Sequence, residues 1–301
     1  LREQSPGNFE ALLKVPEFGG AVLDVSPEFS GGANSATPTI TRETEGAIVK
    51  TWTLHAPDLR GQTLRMRGLQ GTITDALVRI EFNDGAEWLK RFTPADPEAQ
   101  ILSRMAAWEL ARVYVALGYE HILLGVDHLL FVLGLLLIVR GTKALIKTIT
   151  AFTIAHSLTL AAATLGLASA PLPPLNAAIA LSILFLGPEI ARTWSGETSF
   201  TIENPWVVAF AFGLLHGFGF ASGLSTAGMS RAAIPQALLW FNVGVELGQL
   251  TFVALVLAML HAWRVLEMRW PLWAARAPGY AVGVCGAFWT IQRTVLIFSG
   301  R

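Results

Sequence analysis

The chain has 301 residues, and its 22 lysines and arginines balance its 22 aspartates and glutamates, so the formal net charge is zero. This balance provides no basic excess for binding nucleic acid, and a single cysteine, Cys285, excludes a disulfide framework within one chain. Of the 44 charged side chains, 28 lie in residues 1–120 and 16 in residues 121–301. The distribution predicts a soluble first part followed by a membrane-embedded second part.

Residues 1–100 have the pattern of short β-strands separated by turns. Asn83-Asp84-Gly85 is one such turn signal, and the runs with β-branched or alternating residues lie at 47–55, 63–67 and 76–82. Short alternating runs with turn signals between them are typical of an antiparallel sandwich. We therefore expect a β-sandwich-like soluble domain over 1–100.

A helical spacing of apolar residues begins after this domain and predicts an interfacial linker helix over 101–120. Apolar runs of about twenty residues then recur, the length that crosses ~30 Å of hydrocarbon. Their approximate bounds are 121–139, 146–167, 173–191, 205–225, 234–261 and 277–298. The sequence thus predicts a polytopic α-helical membrane protein with about six transmembrane helices over 121–301.

Loop charges predict the orientation of these spans. If residue 121 lies outside, the inner loops collect Arg140, Lys143, Lys147, Arg192, Arg264, Arg269 and Arg276, and the outer loops hold little beyond Arg231. Lysine and arginine are retained on the cytoplasmic side. We expect a bacterial inner-membrane protein whose N-terminal domain is extracytoplasmic.

Small residues predict which spans approach closely. Glycines recur at four-residue spacing, at Gly213 and Gly217 and again at Gly244 and Gly248. Such spacing lets helix backbones come together in a membrane. The fourth and fifth spans are therefore predicted to pack tightly.

Ionisable side chains inside the predicted spans are the strongest functional signal, because each costs at least ~2.5–3.5 kcal/mol at the membrane centre. His128, His156 and His216 lie on three spans at similar predicted depth, and Asp127 precedes His128. Imidazole nitrogens with carboxylate oxygens suit zinc, nickel or cobalt better than calcium or magnesium. We predict one metal site formed by the three histidines, with Asp127 as a ligand or as the group that orients one.

Other polar residues of the spans are further candidates for this site: His121, Glu246, Asn242 and Arg293. An undistorted helix separates His121 from His128 by ~10.5 Å of rise, a restriction that Gly125 could relax. The alternative to a metal site is a polar network that only ties helices together, for example through a Glu246–Arg293 pair.

Three remaining polar residues receive weaker interpretations. Glu189, near the inner end of the third span, is expected to be a snorkelling end residue, with a second ion site on a transport path as the alternative. His55 lies in a predicted soluble strand and His261 near a membrane boundary, so both are expected to lie outside the metal site.

The histidine motifs resemble those of the HupE/UreJ family of membrane proteins. The family's His-x5-Asp-His element corresponds to His121 with Asp127-His128, and its His-Gly element corresponds to His216-Gly217. The stretches Thr153–Leu160 and Phe241–Gln249 look like the branch that bears an extra N-terminal domain. Better-known members are regarded as nickel or cobalt permeases, so the resemblance implies a divalent transition-metal permease.

Two other functions fit the same residues. One is an intramembrane zinc-dependent hydrolase, in which a metal-activated water would lose its proton to Asp127 or Glu246 as general base. The other is a metal sensor or assembly partner whose N-terminal domain binds an extracytoplasmic protein or substrate. The expected partners are thus the lipid bilayer and a nickel, cobalt or zinc ion, and transport is placed slightly ahead of hydrolysis.

Overall fold

The computed structural model describes residues 1–18, 21–32, 40–44, 47–102, 106–225, 234–265 and 271–299. The chain forms two compact units, and the first gives way to the second between Val113 and Tyr114. Arg231 and Arg269, which entered the orientation prediction, lie outside the described residues, as do residues 103–105 of the predicted linker.

The described residues of the first unit form two β-sheets. Their strands are β1 (Arg2–Ser5), β2 (Asn8–Phe18), β3 (Ala21–Val22), β4 (Ser26–Phe29), β5 (Ile40–Thr44), β6 (Ala47–His55), β7 (Thr63–Arg67), β8 (Ala76–Glu81), β9 (Glu87–Phe92) and β10 (Glu98–Gln100). One sheet has the strand order β5-β6-β2-β1-β8-β9, with β3 added to β2, and the other has the order β10-β7-β4. The pairings among these strands are antiparallel except between β1 and β8.

Both sheets contribute to one hydrophobic core. Phe9, Leu54 and Ile80 come from the larger sheet, and Leu64 and Met66 come from the smaller one. In β7 buried and exposed residues alternate, which places every second side chain in the core. The predicted β-sandwich-like domain is therefore confirmed.

The second unit is helical. Its first helix, α1, includes the last seven residues before the boundary with the first unit, because it begins at Ala107. The helices are α1 (Ala107–Leu124), α2 (Val126–Ile138), α3 (Thr142–Thr164), α4 (Leu172–Ser195), α5 (Phe200–Glu203), α6 (Pro205–Ser225), α7 (Ile234–Val265) and α8 (Leu272–Ser299). Among the described residues α3, α4, α7 and α8 are long and apolar enough to cross a membrane. A shorter apolar helix covers Pro205–Gly219.

The first predicted span is not one straight helix. α1 and α2 pass the same length and composition test together, but they are bent by 72° at Gly125. With this bent pair as one span, five candidate spans are found among the described residues, and the shorter α6 covers the remaining predicted run. The chain is an integral membrane protein.

Glycines allow close helix contacts, but not between the helices predicted from their spacing. A Cβ on Gly213 or Gly217 would meet α3, 2.6 Å from the carbonyl oxygen of Phe152 or 2.3 Å from that of His156. A Cβ on Gly244 would lie 2.1 Å from the carbonyl oxygen of Val115 in α1. The fourth span thus packs on the second and the fifth on α1, because glycine spacing marks a face for close approach without specifying its partner.

Candidate metal centre

The bend between α1 and α2 brings two histidines of one span together. Their ring centroids, in His121 and His128, lie 4.8 Å apart. The helical hydrogen bonding is interrupted only locally, since the Gly125 amide donates to the His121 carbonyl and its own carbonyl accepts from the Leu129 amide. The separation expected for a straight helix is thus removed by the break at Gly125.

Two further helices add one histidine each, His156 from α3 and His216 from α6. The centroid of His128 lies 5.9 Å from that of His156 and 4.9 Å from that of His216, and His121 lies 6.0 Å from His156. We call these four residues the histidine cluster. Two imidazoles bound to one ion at ~2.0–2.1 Å with a tetrahedral angle have ring centres about 5 Å apart. The distances from His128 to His121 and to His216 match this spacing, whereas those from His156 to His128 and to His121 exceed it.

The ring nitrogens of the cluster are enclosed by protein. His156 and His216 are buried, and His128 is partly buried. Within the described part of the chain, both nitrogens of His128, both of His156 and Nδ1 of His216 are buried without a hydrogen-bond partner. Unsatisfied buried polar atoms are costly. A bound cation is one way to satisfy several of them at once.

The ring nitrogens of the cluster are not arranged around a common ion position in this structure. Among the described residues no group of three histidine, cysteine, aspartate or glutamate side chains is arranged to hold a metal ion. The donor set nevertheless fits the chemistry of a borderline transition metal, because neutral imidazole suits zinc, copper, iron and nickel. Binding an ion would require the imidazoles to reorient within their pocket.

Aromatic side chains pack against the histidine cluster. Phe152 stacks on His156 at 6.2 Å, Phe131 lies 5.2 Å from His216, and Phe241 lies 5.6 Å from His121. Phe131 and Phe152 also belong to the main core of the helical unit. The cluster is thus built into the packed interior, on the faces where α2, α3 and α6 meet.

Asp127 points to a different partner from its neighbour His128. Nη2 of Arg293 in α8 donates to both carboxylate oxygens, at 2.8 and 3.1 Å, and Nη1 donates to the Asn176 carbonyl oxygen in α4. The pair ties α2 to α8 and places a positive charge beside the carboxylate. As observed, Asp127 is engaged by Arg293 rather than by the imidazoles.

The polar residues of α7 face α3 or their own helix. Glu246 accepts a hydrogen bond from Thr150, so the Glu246–Arg293 pair considered from the sequence is not formed. Gln249 accepts one from Thr153. Asn242 donates to the Leu238 carbonyl oxygen, and its own Oδ1 is buried without a partner among the described residues.

Comparison with known proteins settles the family. A family model described as HupE / UreJ protein matches residues 97–293, which is well over half of the chain. The chain belongs to the HupE/UreJ family. No curated protein and no solved structure matches it.

The matched region of this HupE/UreJ protein contains the whole histidine cluster as well as Asp127 and Arg293. The N-terminal sandwich lies almost entirely before it. His55 lies in that sandwich, where Asn8 contacts its ring nitrogen, and His261 is exposed near the end of α7. Both thus lie outside the cluster, as the sequence predicts.

Glu189 differs from its expected role as a snorkelling residue. It is buried, and it accepts hydrogen bonds from Arg192 and from Ser199. Ser199 also caps the short helix α5 by accepting from the Ile202 amide. Glu189 therefore joins α4 to the segment that leads into α6, since its carboxylate turns inward to these donors instead of outward to solvent.

One residue of the site was missed by the sequence analysis. Ser182 of α4 is completely buried, and its hydroxyl oxygen lies 3.1 Å from Nε2 of His216. The signal available in the sequence is a lone serine within the apolar run Ala-Leu-Ser-Ile-Leu-Phe-Leu. A buried hydroxyl in such a run needs a partner, and here the partner is a histidine of the cluster.

Proposed function

We propose that this chain is a permease for a divalent transition-metal ion of the nickel or cobalt type, which passes through the histidine cluster. The observation that carries the proposal is the break at Gly125, which offers His121 and His128 from the two halves of one span. Broken helices that line a site near the middle of the membrane are a recurrent feature of secondary transporters. The ion is the substrate in this proposal.

The donor set suits transient binding. Four neutral imidazoles bring no negative charge to the ion, in contrast to the thiolate-rich sites that hold structural zinc. The nearest carboxylate in the sequence, Asp127, is balanced by Arg293. An ion held mainly by neutral ligands can be released more easily, as a carrier requires.

A row of polar side chains extends from the cluster along α3 and supports a path for the ion through the helical unit. Thr153 and Thr150 lie three and six residues before His156, and so share one broad face of the helix with it. Each threonine donates to α7, Thr153 to Gln249 and Thr150 to Glu246. In the proposed orientation this row leads towards the cytoplasm.

The hydrolase alternative is less well supported. Its two candidate general bases were Asp127 and Glu246, but their carboxylates bind Arg293 and Thr150. A base must reach the water that it deprotonates, directly or through one further water. Tight, stoichiometric zinc without transport would favour the hydrolase.

Transport is best tested with purified protein in liposomes that enclose a fluorophore quenched by Ni²⁺ or Co²⁺. We expect His156→Ala and His216→Ala to slow ion entry at least about tenfold, because each removes a direct donor. His55→Ala and His261→Ala are matched controls outside the cluster and should transport like the wild type. Equal rates for all four variants would overturn the proposal.

We propose that the protein lies in a bacterial inner membrane and that residues 1–100 are on its extracytoplasmic side. The support for this orientation is the positive charge around the connection between α2 and α3, with Arg140 in the loop and Lys143 and Lys147 in the first two turns of α3. In a Cys285→Ala background, an impermeant maleimide added to spheroplasts should label Glu98→Cys and leave Ala144→Cys unlabelled. The reverse pattern would refute the orientation.

A further inference from the structure

The hydrogen bonds of Ser182 determine which nitrogen of His216 carries a proton. The Ser182 hydroxyl lies 2.6 Å from the carbonyl oxygen of Ile179, one turn earlier in α4, and 3.1 Å from Nε2 of His216. A carbonyl oxygen can only accept, and a serine hydroxyl has a single hydrogen to donate. With that hydrogen directed to Ile179, the hydroxyl oxygen accepts from His216, which requires a proton on Nε2.

A neutral imidazole with its proton on Nε2 has its lone pair on Nδ1. Nδ1 of His216 is buried and has no hydrogen-bond partner among the described residues. The centroid of the His216 ring lies 4.9 Å from that of His128 and 5.3 Å from that of Phe152. The nitrogen with the free lone pair is thus buried in a ring that packs against the cluster, whereas Nε2 is bonded to Ser182 of α4.

From these contacts we propose that Ser182 is a positioning residue, which holds His216 as the Nε2-protonated tautomer and makes Nδ1 its metal-binding atom. The assignment of Nδ1 as the metal-binding atom rests on the proposed function, because it assumes that an ion binds at the cluster. The tautomer itself is a property of the metal-free protein. It can therefore be tested without any transport or metal binding.

The same contact also helps to orient the ring. Groups that accept the second N–H of a ligating histidine orient it and increase its basicity, and their removal typically costs about 10–100-fold in metal affinity. Ser182 is itself held rigidly, because it is fully buried and bonded to its own helix. In its absence Nε2 would lose its acceptor, and both tautomers of His216 would become accessible.

The first measurement is nitrogen NMR of metal-free protein labelled with ¹⁵N in the histidine rings, with His216 assigned by its loss in His216→Gln. We expect a protonated Nε2 and an unprotonated Nδ1 in the wild type. In Ser182→Ala the His216 signals should move towards a mixture of tautomers. A protonated Nδ1 in the wild type would overturn the assignment, whatever the protein transports.

The second measurement is Ni²⁺ affinity by titration of the purified protein. Ser182→Ala should bind about 10–100-fold more weakly than the wild type. Ser157→Ala is the matched control, because the Ser157 hydroxyl donates to the carbonyl oxygen of Thr153 in its own helix. It should bind within about twofold of the wild type.

The two measurements separate the two proposals. A wild type with the expected tautomer that neither binds nor transports Ni²⁺ or Co²⁺ would refute the permease and leave the tautomer assignment standing. A wild type that transports the ion but shows no difference in affinity from Ser182→Ala would refute the positioning role alone. If Ser182→Ala does not fold, the wild-type spectrum still decides the tautomer.

Discussion

Asp127 and Arg293 form an ion pair between α2 and α8 inside the membrane-spanning unit, with both carboxylate oxygens bound to one guanidinium nitrogen. About a quarter of each side chain is exposed. Asp127 precedes His128 directly, so the pair joins a helix that carries part of the histidine cluster to α8. If either side chain lost its charge, the charge of its partner would remain unpaired in a poorly solvated position.

We therefore expect Arg293→Gln and Asp127→Asn each to destabilise the protein, and the double variant to lose less than the sum. A fully buried pair loses ~3–5 kcal/mol when one partner is removed, and partial exposure reduces this to about 1–3 kcal/mol. Thermal unfolding in detergent measures the effect, with the exposed Arg140→Gln as control. Additive losses would show that the two residues are not coupled.

The double variant also tests whether Asp127 binds the ion. Because its carboxylate is engaged by Arg293, we expect the double variant to retain Ni²⁺ with wild-type stoichiometry. Loss of the ion in a protein that remains folded would make Asp127 a ligand after all.

Glu87 gives the N-terminal sandwich a defined pH dependence. Burial raises the pKa of this carboxyl, although Arg79, 2.7 Å away, opposes the shift. The folded protein thus keeps a proton that the unfolded chain loses near pH ~4.3. The stability due to this proton is fully present below that pH and is lost as the pH rises through the folded pKa.

Replacing Glu87 by glutamine should remove this dependence, since glutamine does not titrate. Hydrogen exchange of the full-length protein, followed in the peptide that covers residues 76–92, can detect it. The ratio of protection in the wild type to that in Glu87→Gln should fall as the pH rises above ~4.3, the ordinary pKa of glutamate, towards the raised pKa of the folded protein. The exposed Glu98→Gln serves as control, and a ratio that rises over this range would contradict the prediction.

Gly217 sets the distance between α3 and α6. A Cβ there would lie 2.3 Å from the His156 carbonyl oxygen and 2.1 Å from the Thr159 hydroxyl, so the backbones would have to separate. We expect Gly217→Ala to lower the stability in detergent by roughly 1–3 kcal/mol. Gly283→Ala is the matched control, because its Cβ would meet its nearest neighbour at an ordinary 3.6 Å.

The contribution of the Thr159 side chain can be separated from that of the backbone. Thr159→Ala removes the hydroxyl but leaves the His156 carbonyl oxygen in place. We therefore expect it to rescue little of the loss caused by Gly217→Ala. Equal stability of Gly217→Ala and Gly283→Ala would show that the two helices can separate at no cost.

The fold class could be predicted from the sequence, because hydrophobicity and its periodicity are local properties of a segment. Apolar runs predicted the four long apolar helices α3, α4, α7 and α8, and alternation in strands such as β7 predicted the sandwich. The bend at Gly125 was only suggested, since a glycine permits a break without requiring one. Its angle depends on how α1 and α2 pack against other helices.

Partners distant in sequence were harder to predict. Charge alone allowed Arg293 to pair with Glu246 or with Asp127, and only the packing of α8 beside α2 decides between them. The histidines predicted to share a site do lie together, because intramembrane polar groups have few alternatives to contacting one another. Ser182 was missed because a lone serine in an apolar run has no periodicity.

Gly125 is where the fold and the proposed site depend most directly on one residue. A Cβ at this position would lie 2.7 Å from Nδ1 of His128 and 2.7 Å from the His121 carbonyl oxygen. Its φ of −79° and ψ of 86° are open to other residues, so the requirement for glycine is one of space. Alanine would also favour a continuous helix by ~1 kcal/mol, and straightening would move His121 and His128 towards ~10.5 Å of rise.

Both effects of Gly125→Ala act against a shared ion, since one displaces the His128 ring and the other separates it from His121. We expect the variant to insert and fold, and to bind Ni²⁺ about 10–100-fold more weakly than the wild type, in the range found when ligand orientation is disturbed. Titration of the purified protein measures this, with Gly283→Ala as the control that adds the same methyl group away from the cluster. Wild-type affinity in Gly125→Ala would mean that the ion does not need both halves of the broken span, and the proposed site would then reduce to the histidines of α2, α3 and α6.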